Sequence, residues 1–243
     1  MKCIILAAGY ATRLYPLTEN FPKPLLKVGE KTILDWLIDD IGREADQFVV
    51  VTNHKFAGHF QAWAEGRKEI TVLDDGTSTN ETRLGAVCDI QFAIDSLKLD
   101  DDCLIIAGDN VLDFSLKRFI AYAREKGTSC TMRYREDDEK RLHKSGVSEV
   151  GADERLLGFE EKPEKPRSCW CTPPFYYYIA ADVRQIRRAI EDGCGTDAPG
   201  SLVGWMCSHS TVYSMEMPGK RYDIGNLESY KMVQETYHGI GKD

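Results

Sequence analysis

No stretch of this chain approaches the roughly 20 consecutive apolar residues that a membrane-spanning helix needs. The opening MKCIILAAG is also too short an apolar run for the core of a secretory signal. Together these absences predict a cytoplasmic protein with no membrane partner. An excess of cations is missing too, since 31 Lys and Arg stand against 39 Asp and Glu, a net charge of −8. Such a surface repels polyanions, which argues against nucleic acid as a partner. No low-complexity segment, internal repeat or Gly/Pro-rich linker divides the 243 residues. A single domain is therefore expected, with a change of character between residues 1–127 and 128–243.

Cysteine is not scarce. The eight, at 3, 88, 103, 130, 169, 171, 194 and 207, are scattered through a chain large enough to fold without covalent staples, so reduced core thiols are expected. Cys169 and Cys171, with Cys194, Cys207 and His209 further on, supply zinc-binding atoms but lack a standard ligand spacing, and whether they hold a metal is left open.

The apolar pattern alternates between two periods. KCIILAAG (2–9), DQFVVVTN (46–53), EITVLDD and DCLIIAGDN (102–110) are continuous runs bounded by turn formers, as strands buried on both faces require. Between them TILDWLIDDIGREA (32–45), FAGHFQAWAEG and RLGAVCDIQFAIDSL read as helices, Thr32 capping the first, and Gly127 closes a further helix, SLKRFIAYAREKG. This order predicts an α/β fold, a Rossmann-like doubly wound, mixed but mainly parallel sheet. Beyond Cys130 the strands shorten: TSCTMRYRE, two strands within 146–163 joined by an Asp/Glu turn, PPFYYYIAADV, and STVYSMEMP (210–218). RQIRRAIEDG and LESYKMVQETYHG complete the helices.

The first strand runs into LAAGYATRLYPLTENFPKPLL (6–26). A turn there lies at the carboxyl end of a parallel sheet, where α/β proteins gather ligands, and Gly9 lets backbone N–H groups approach an anion. Arg13 and Lys23 add full positive charges, and the set suits a triphosphate. No second and third glycine follow as in the dinucleotide fingerprint, which counts against an NAD-dependent oxidoreductase, and there is no Gly-Lys-Ser/Thr of a P-loop.

This stretch resembles the signature of the sugar-1-phosphate nucleotidylyltransferases, Gly-x-Gly-x-Arg-Leu-x-Pro-x-Thr followed by Pro-Lys-Pro-Leu. Ala11 replaces the second glycine, and its methyl group should still permit phosphate approach if its φ stays negative. Three further segments match in order: AGDNV, GFEEKP and RYDIGN, the last with Asn226 in place of threonine. Each alone has a plainer reading as a cap or a solvated turn. The resemblance implies the nucleotide-diphospho-sugar transferase fold, with 1–127 as the nucleotide half and 128–243 as the sugar-phosphate half. It implies Mg2+ held by Asp109 and Asp223, catalysis by Arg13, Lys23 and Lys162, and nucleotide binding by Ala8, Gly9 and Tyr10. It also implies base reading by Asn80, Thr82, Leu84 and Gly85, and acceptor binding by Gly146, Glu161 and Lys162, with Tyr176 either a pocket wall or a packing residue.

In the reaction so implied, a phosphate oxygen of the acceptor attacks the α-phosphorus of an NTP and pyrophosphate leaves. The acceptor is already ionised near neutral pH, so no general base is needed, and His54, His59, His143 and His209 need no role. The segment DDGTSTNETRLGA (74–86) leaves dTTP, UTP and CTP open, and Asn80 also resembles cytidylyltransferases that activate phosphocholine-like acceptors. A non-catalytic regulatory domain of this fold is disfavoured by the five charged residues at 13, 23, 109, 162 and 223. Some relatives carry an acyltransferase domain beyond this point; with the sequence ending at LESYKMVQETYHGIGKD, nucleotidyl transfer alone is expected. Oligomeric state is left open.

Overall fold

The computed structural model describes residues 1–241. Two compact units make up the chain and neither is continuous: the first takes Met1–Arg83, Ala107–Arg118 and the stretch from Pro218 onward, the second Leu84–Ile106 and Phe119–Met217.

In the first unit, Lys2–Leu6, Gln47–Thr52 and Ile70–Asp74 pair in parallel, with Ile4 opposite Val49 and Val50 opposite Val72. Ile4, Ile5, Val49, Val50 and Val51 are wholly buried, as runs without polar alternation demand. The first strand stops at Leu6, short of the expected Gly9, because the Asn53 side chain takes the Ala8 carbonyl at 2.8 Å. The first helix, Ile33–Ile41, has the predicted cap, Thr32 accepting from Asp35 N, and breaks off at Gly42 where φ turns to +52°. Leu14, Leu26, Val28, Val111, Ile224 and Val233 pack into one buried cluster and so bring distant stretches of chain together. The C-terminal helix, Leu227–Thr236, starts on a reciprocal capping pair, Asn226 with Ser229. The threonine-to-asparagine departure thus falls on a residue that caps equally well.

The second unit is mixed. Its strands lie in the order Leu156–Glu161, Gly146–Val150, Trp170–Cys171, Ser129–Arg135, Phe175–Tyr178 and Cys103–Ala107, with Val212–Glu216 parallel to Ser129–Arg135. The 146–161 pair is the expected hairpin, turning at Asp153 and Glu154. Helix Ala86–Leu97 starts later than Arg83 because Gly85, at φ +92°, makes a sharp entry. Its first N–H groups bond to the backbone carbonyls of Asp197 and Thr196. A Cβ on Gly85 would stand 2.5 Å from the Thr196 carbonyl oxygen, so no other residue fits.

Helix Gly200–His209 is absent from the sequence reading. Two glycines, each about 1 kcal/mol poorer than alanine in a helix, hide it. Packing overrides propensity here, since Gly200 and Gly204 make room for the Phe159 ring and backbone of the strand beneath. All eight cysteines are free. Among the described residues no helix is long and apolar enough to cross a membrane.

Candidate active site

The carboxyl ends of the first unit's parallel strands open into a cavity of about 240 Å³, lined by Gly9, Ala11, Arg13, Lys23, Asp109 and Gly225 among others. Side chains with no place in the sequence reading shape its loop. Asn53 is fully buried, receives Phe56 N as a helix cap and donates to the Ala8 carbonyl. Thr18, also fully buried, donates to the Ala11 carbonyl at 2.8 Å, as does Leu14 N at 2.9 Å. The available signals were a cap-type residue after a strand, in VTNHKF, and the threonine of the signature.

Ala11 corrects an expectation. Its φ is +47° and its ψ 43°, the left-handed conformation a glycine would adopt, and its side chain packs on the buried cluster around Leu14. The loop keeps the path of the glycine motif at a steric cost of about 1–2 kcal/mol.

Arg13 lies exposed on the single turn Thr12–Leu14. Its Nη1 is 3.9 Å, and the Asp223 Oδ2 3.7 Å, from the point where a Gly225 Cβ would stand, so both charges lie beside that glycine. Lys23 is different. Its side chain is only 8% exposed, on a turn stiffened by Pro22 and Pro24, and Nζ donates to Asp109 Oδ2 at 2.7 Å. The other oxygen, Oδ1, accepts from the Asn110 amide, whose own oxygen accepts from Arg221 Nη1 at 3.0 Å. Burial pushes the Asp109 carboxyl up, but the Lys23 ammonium, with Arg221 behind it, outweighs burial and holds it below its ordinary value.

Of the loop's other expected ligands, Tyr10 turns inward against Phe56 with its hydroxyl buried, which leaves its backbone for an anion. Asn80 is exposed and accepts from Arg83 Nη1 through both its carbonyl and its side chain. Thr82 pairs its hydroxyl with Thr79, and Leu84 is partly exposed.

The residues expected to bind the acceptor lie in the second unit. Gly146 pairs with Glu161 across the hairpin, and a Cβ on Gly146 or Gly200 would crowd Glu161 Oε2 at 3.1 or 2.5 Å. The two glycines therefore leave a half-buried carboxylate uncovered. Burial pushes that carboxyl up; Lys162 beside it opposes the shift and Asp197 adds to it. Lys162 itself has φ +51°, held by its N–H bond to the Ser145 carbonyl, a strained backbone at a charged residue. Tyr176 is corrected: at 2% exposure, stacked on Tyr178, it packs within the sheet and presents no wall to a ligand.

Among the described residues no group of three or more His, Cys, Asp or Glu is placed to hold a metal, and this includes the Cys169/Cys171 set. Of the two carboxylates expected to hold a metal, Asp109 lines the cavity and Asp223 lies beside Gly225, which lines it.

Fold and cavity define an α/β protein with a cavity lined by Arg13 and Lys23 at the carboxyl ends of its parallel strands. The chain belongs to the nucleotidyl transferase family, whose sequence pattern matches residues 2–239. It is 24% identical over 241 residues to a UTP–glucose-1-phosphate uridylyltransferase of Synechocystis sp., covering 95% of this chain and 61% of the relative. A glucose-1-phosphate adenylyltransferase of Fervidobacterium nodosum is likewise 24% identical, over 93% of this chain and 59% of its own. The chain thus spans less than two thirds of these relatives. A UTP–glucose-1-phosphate uridylyltransferase of Haloferax volcanii is matched over 93% of its length, at 25% identity and 94% of this chain. The fold is shared with a solved structure of UDP-glucose pyrophosphorylase bound to UDP-glucose, at TM-score 0.79 and 16% identity over 97% of both chains.

Two outcomes follow. Ala11→Gly should raise unfolding stability by about 1 kcal/mol in urea denaturation, because it removes the left-handed penalty. Glu161→Gln should raise the Tm at pH 7. The native state holds the Glu161 proton more tightly than the unfolded chain does, so the ionised carboxylate costs stability at neutral pH. As pH falls through the raised pKa toward the ordinary glutamate range that cost vanishes, and the variant's advantage over the parent should vanish with it in melts taken across that range.

Proposed function

We propose that this protein transfers a nucleotidyl group from an NTP to a sugar 1-phosphate, releasing pyrophosphate. The observation that carries the reading is the cavity of the first unit, where Arg13 and the buried Lys23 sit with an ionised Asp109 at the end of a glycine-entered loop. The relatives' names, which pair a nucleoside triphosphate with glucose 1-phosphate, support it.

In this reading residues 1–127 bind the nucleotide and residues 128–243 the acceptor. The backbone of Ala8, Gly9 and Tyr10 gives N–H groups to the triphosphate, and Arg13 gives the forked guanidinium that matches phosphate oxygens. Charge accumulates around the α-phosphorus as the acceptor oxygen attacks and the bridging oxygen leaves. Arg13, on the Thr12–Leu14 turn, and Lys23, on a turn held by Pro22 and Pro24, place positive charge where it stabilises that build-up. Lys162 orients the acceptor phosphate, and Glu161, with Gly146, takes its hydroxyls. Asn80, Leu84 and Gly85 lie in the segment assigned to the base, with dTTP, UTP and CTP as candidates. A reaction on such metabolites belongs to the cytoplasm.

Mg2+ fits the residues present. Asp109 and Asp223 are hard oxygen donors, and Mg2+ usually binds one or two carboxylates and completes its shell with phosphate and water. When bound it would neutralise phosphate charge next to Arg13.

A pyrophosphate-release assay with four NTPs against a panel of sugar 1-phosphates, phosphocholine included, tests the reading. Turnover with one NTP and a sugar 1-phosphate is expected; none with any pair would reject it, and turnover with CTP and phosphocholine alone would move it to the cytidylyl branch. With the active pair, Arg13→Ala should lower kcat by roughly two to three orders of magnitude, the scale of losing one preorganised donor. Arg13→Lys should recover little. A variant with normal kcat and only a raised KM would show that Arg13 binds without assisting the transition state.

A further inference from the structure

Asp109 is the family-type metal ligand of the proposed reaction, yet in this structure neither of its carboxylate oxygens is idle. Oδ2 accepts from Lys23 Nζ at 2.7 Å and Oδ1 from the Asn110 amide at 3.1 Å. The two partners are not equivalent. An amide dipole tolerates a cation shared on its acceptor, whereas an ammonium on the same carboxylate repels one. Lys23 also cannot withdraw to water, because its side chain is 8% exposed and its turn is held by two prolines. A divalent ion that takes Asp109 must therefore leave a buried ammonium without its counter-charge, which is costly in a protein interior. A polyphosphate in the cavity removes that cost, since Lys23 and Arg13 line the same space and phosphate oxygens give the ammonium a new partner.

We propose that Lys23 is a placeholder for the metal: it occupies Asp109 in the empty site and passes to the triphosphate as the metal arrives, so that metal and nucleotide bind together rather than singly. The inference rests on Asp109 being a metal ligand, as in the reading above, and adds an order of events to it. It also explains why a lysine rather than an arginine stands here. A compact ammonium on a flexible stem can exchange one oxygen partner for another a short distance away, which a rigid planar fork does less readily.

The test uses Mn2+ alone, without nucleotide, and reads the free aquo-ion signal by electron paramagnetic resonance. The unmodified protein should bind Mn2+ weakly, and Asp109→Asn should change that affinity less than twofold, because the carboxylate is already taken. Lys23→Met should bind Mn2+ at least about tenfold more tightly, and adding Asp109→Asn to it should abolish the gain. Arg13→Met removes the same charge from the same cavity without freeing Asp109, so it should show no such gain. Thermal melts establish that each variant is folded, and Lys23→Gln serves if the methionine variant is not. Three results would overturn the proposal: tenfold weaker Mn2+ binding in Asp109→Asn alone, no gain in either lysine variant, or an equal gain in Arg13→Met. Since no nucleotide is present, these outcomes are separate from those of the NTP panel, where absence of turnover would reject the reaction and leave the Lys23 result standing.

Discussion

The ion pair between Lys23 and Asp109 is the constraint around which the first unit is organised. An ammonium 8% exposed needs an anion close at hand, and the one it finds, a carboxylate 47% exposed, stands just past the strand Cys103–Ala107, 86 residues later in the sequence. The consequences spread outward. Asn110 must turn its amide to the second carboxylate oxygen, and Arg221, from a strand near the C-terminus, must satisfy Asn110 in turn. Three separate stretches of chain thereby meet at one carboxylate, and the cluster of Leu14, Leu26, Val111 and Ile224 beneath them makes the meeting stable. Apolar burial supplies the driving force, and the polar chain sets the register.

The loop after the first strand obeys a similar economy. Its carbonyls at Ala8 and Ala11 are both engaged within the protein, one by the Asn53 amide and the other by the Thr18 hydroxyl and Leu14 N–H. With those acceptors engaged, the positive charge lining the cavity comes from Arg13 and Lys23. Ala11 shows how strongly this geometry is imposed, because the chain enters the left-handed region there without a glycine. In the second unit glycine does the opposite work. Gly146 and Gly200 hold space open beside Glu161, and the price is a carboxylate with poor solvation.

How much of this was legible in the residues depends on the range of the interactions. The strands of VVVT and LIIA type, the Thr32 cap and the Gly127 stop follow from local patterns a few residues long, and the structure has them where the patterns put them. Helix Gly200–His209 was not legible, because its formation depends on the Phe159 ring it packs against and its own propensity is poor. Tyr176 was misread for a related reason. Alternation tells which residues share a face, but not whether that face meets a ligand or another layer of side chains.

By itself, then, the sequence determined the α/β class, the loop of glycine, arginine and lysine after the first strand, and the absence of any membrane-spanning run. These are properties of composition and of neighbours along the chain. Tertiary structure alone decided that Lys23 would meet Asp109, that Asn53 and Thr18 would engage the loop carbonyls, that Ala11 would adopt a glycine's conformation, and that Glu161 would lie uncovered between two glycines. Each of these pairs atoms far apart in sequence, or fixes a dihedral angle through contacts that no local pattern encodes, and only the packed core brings such groups within hydrogen-bonding distance.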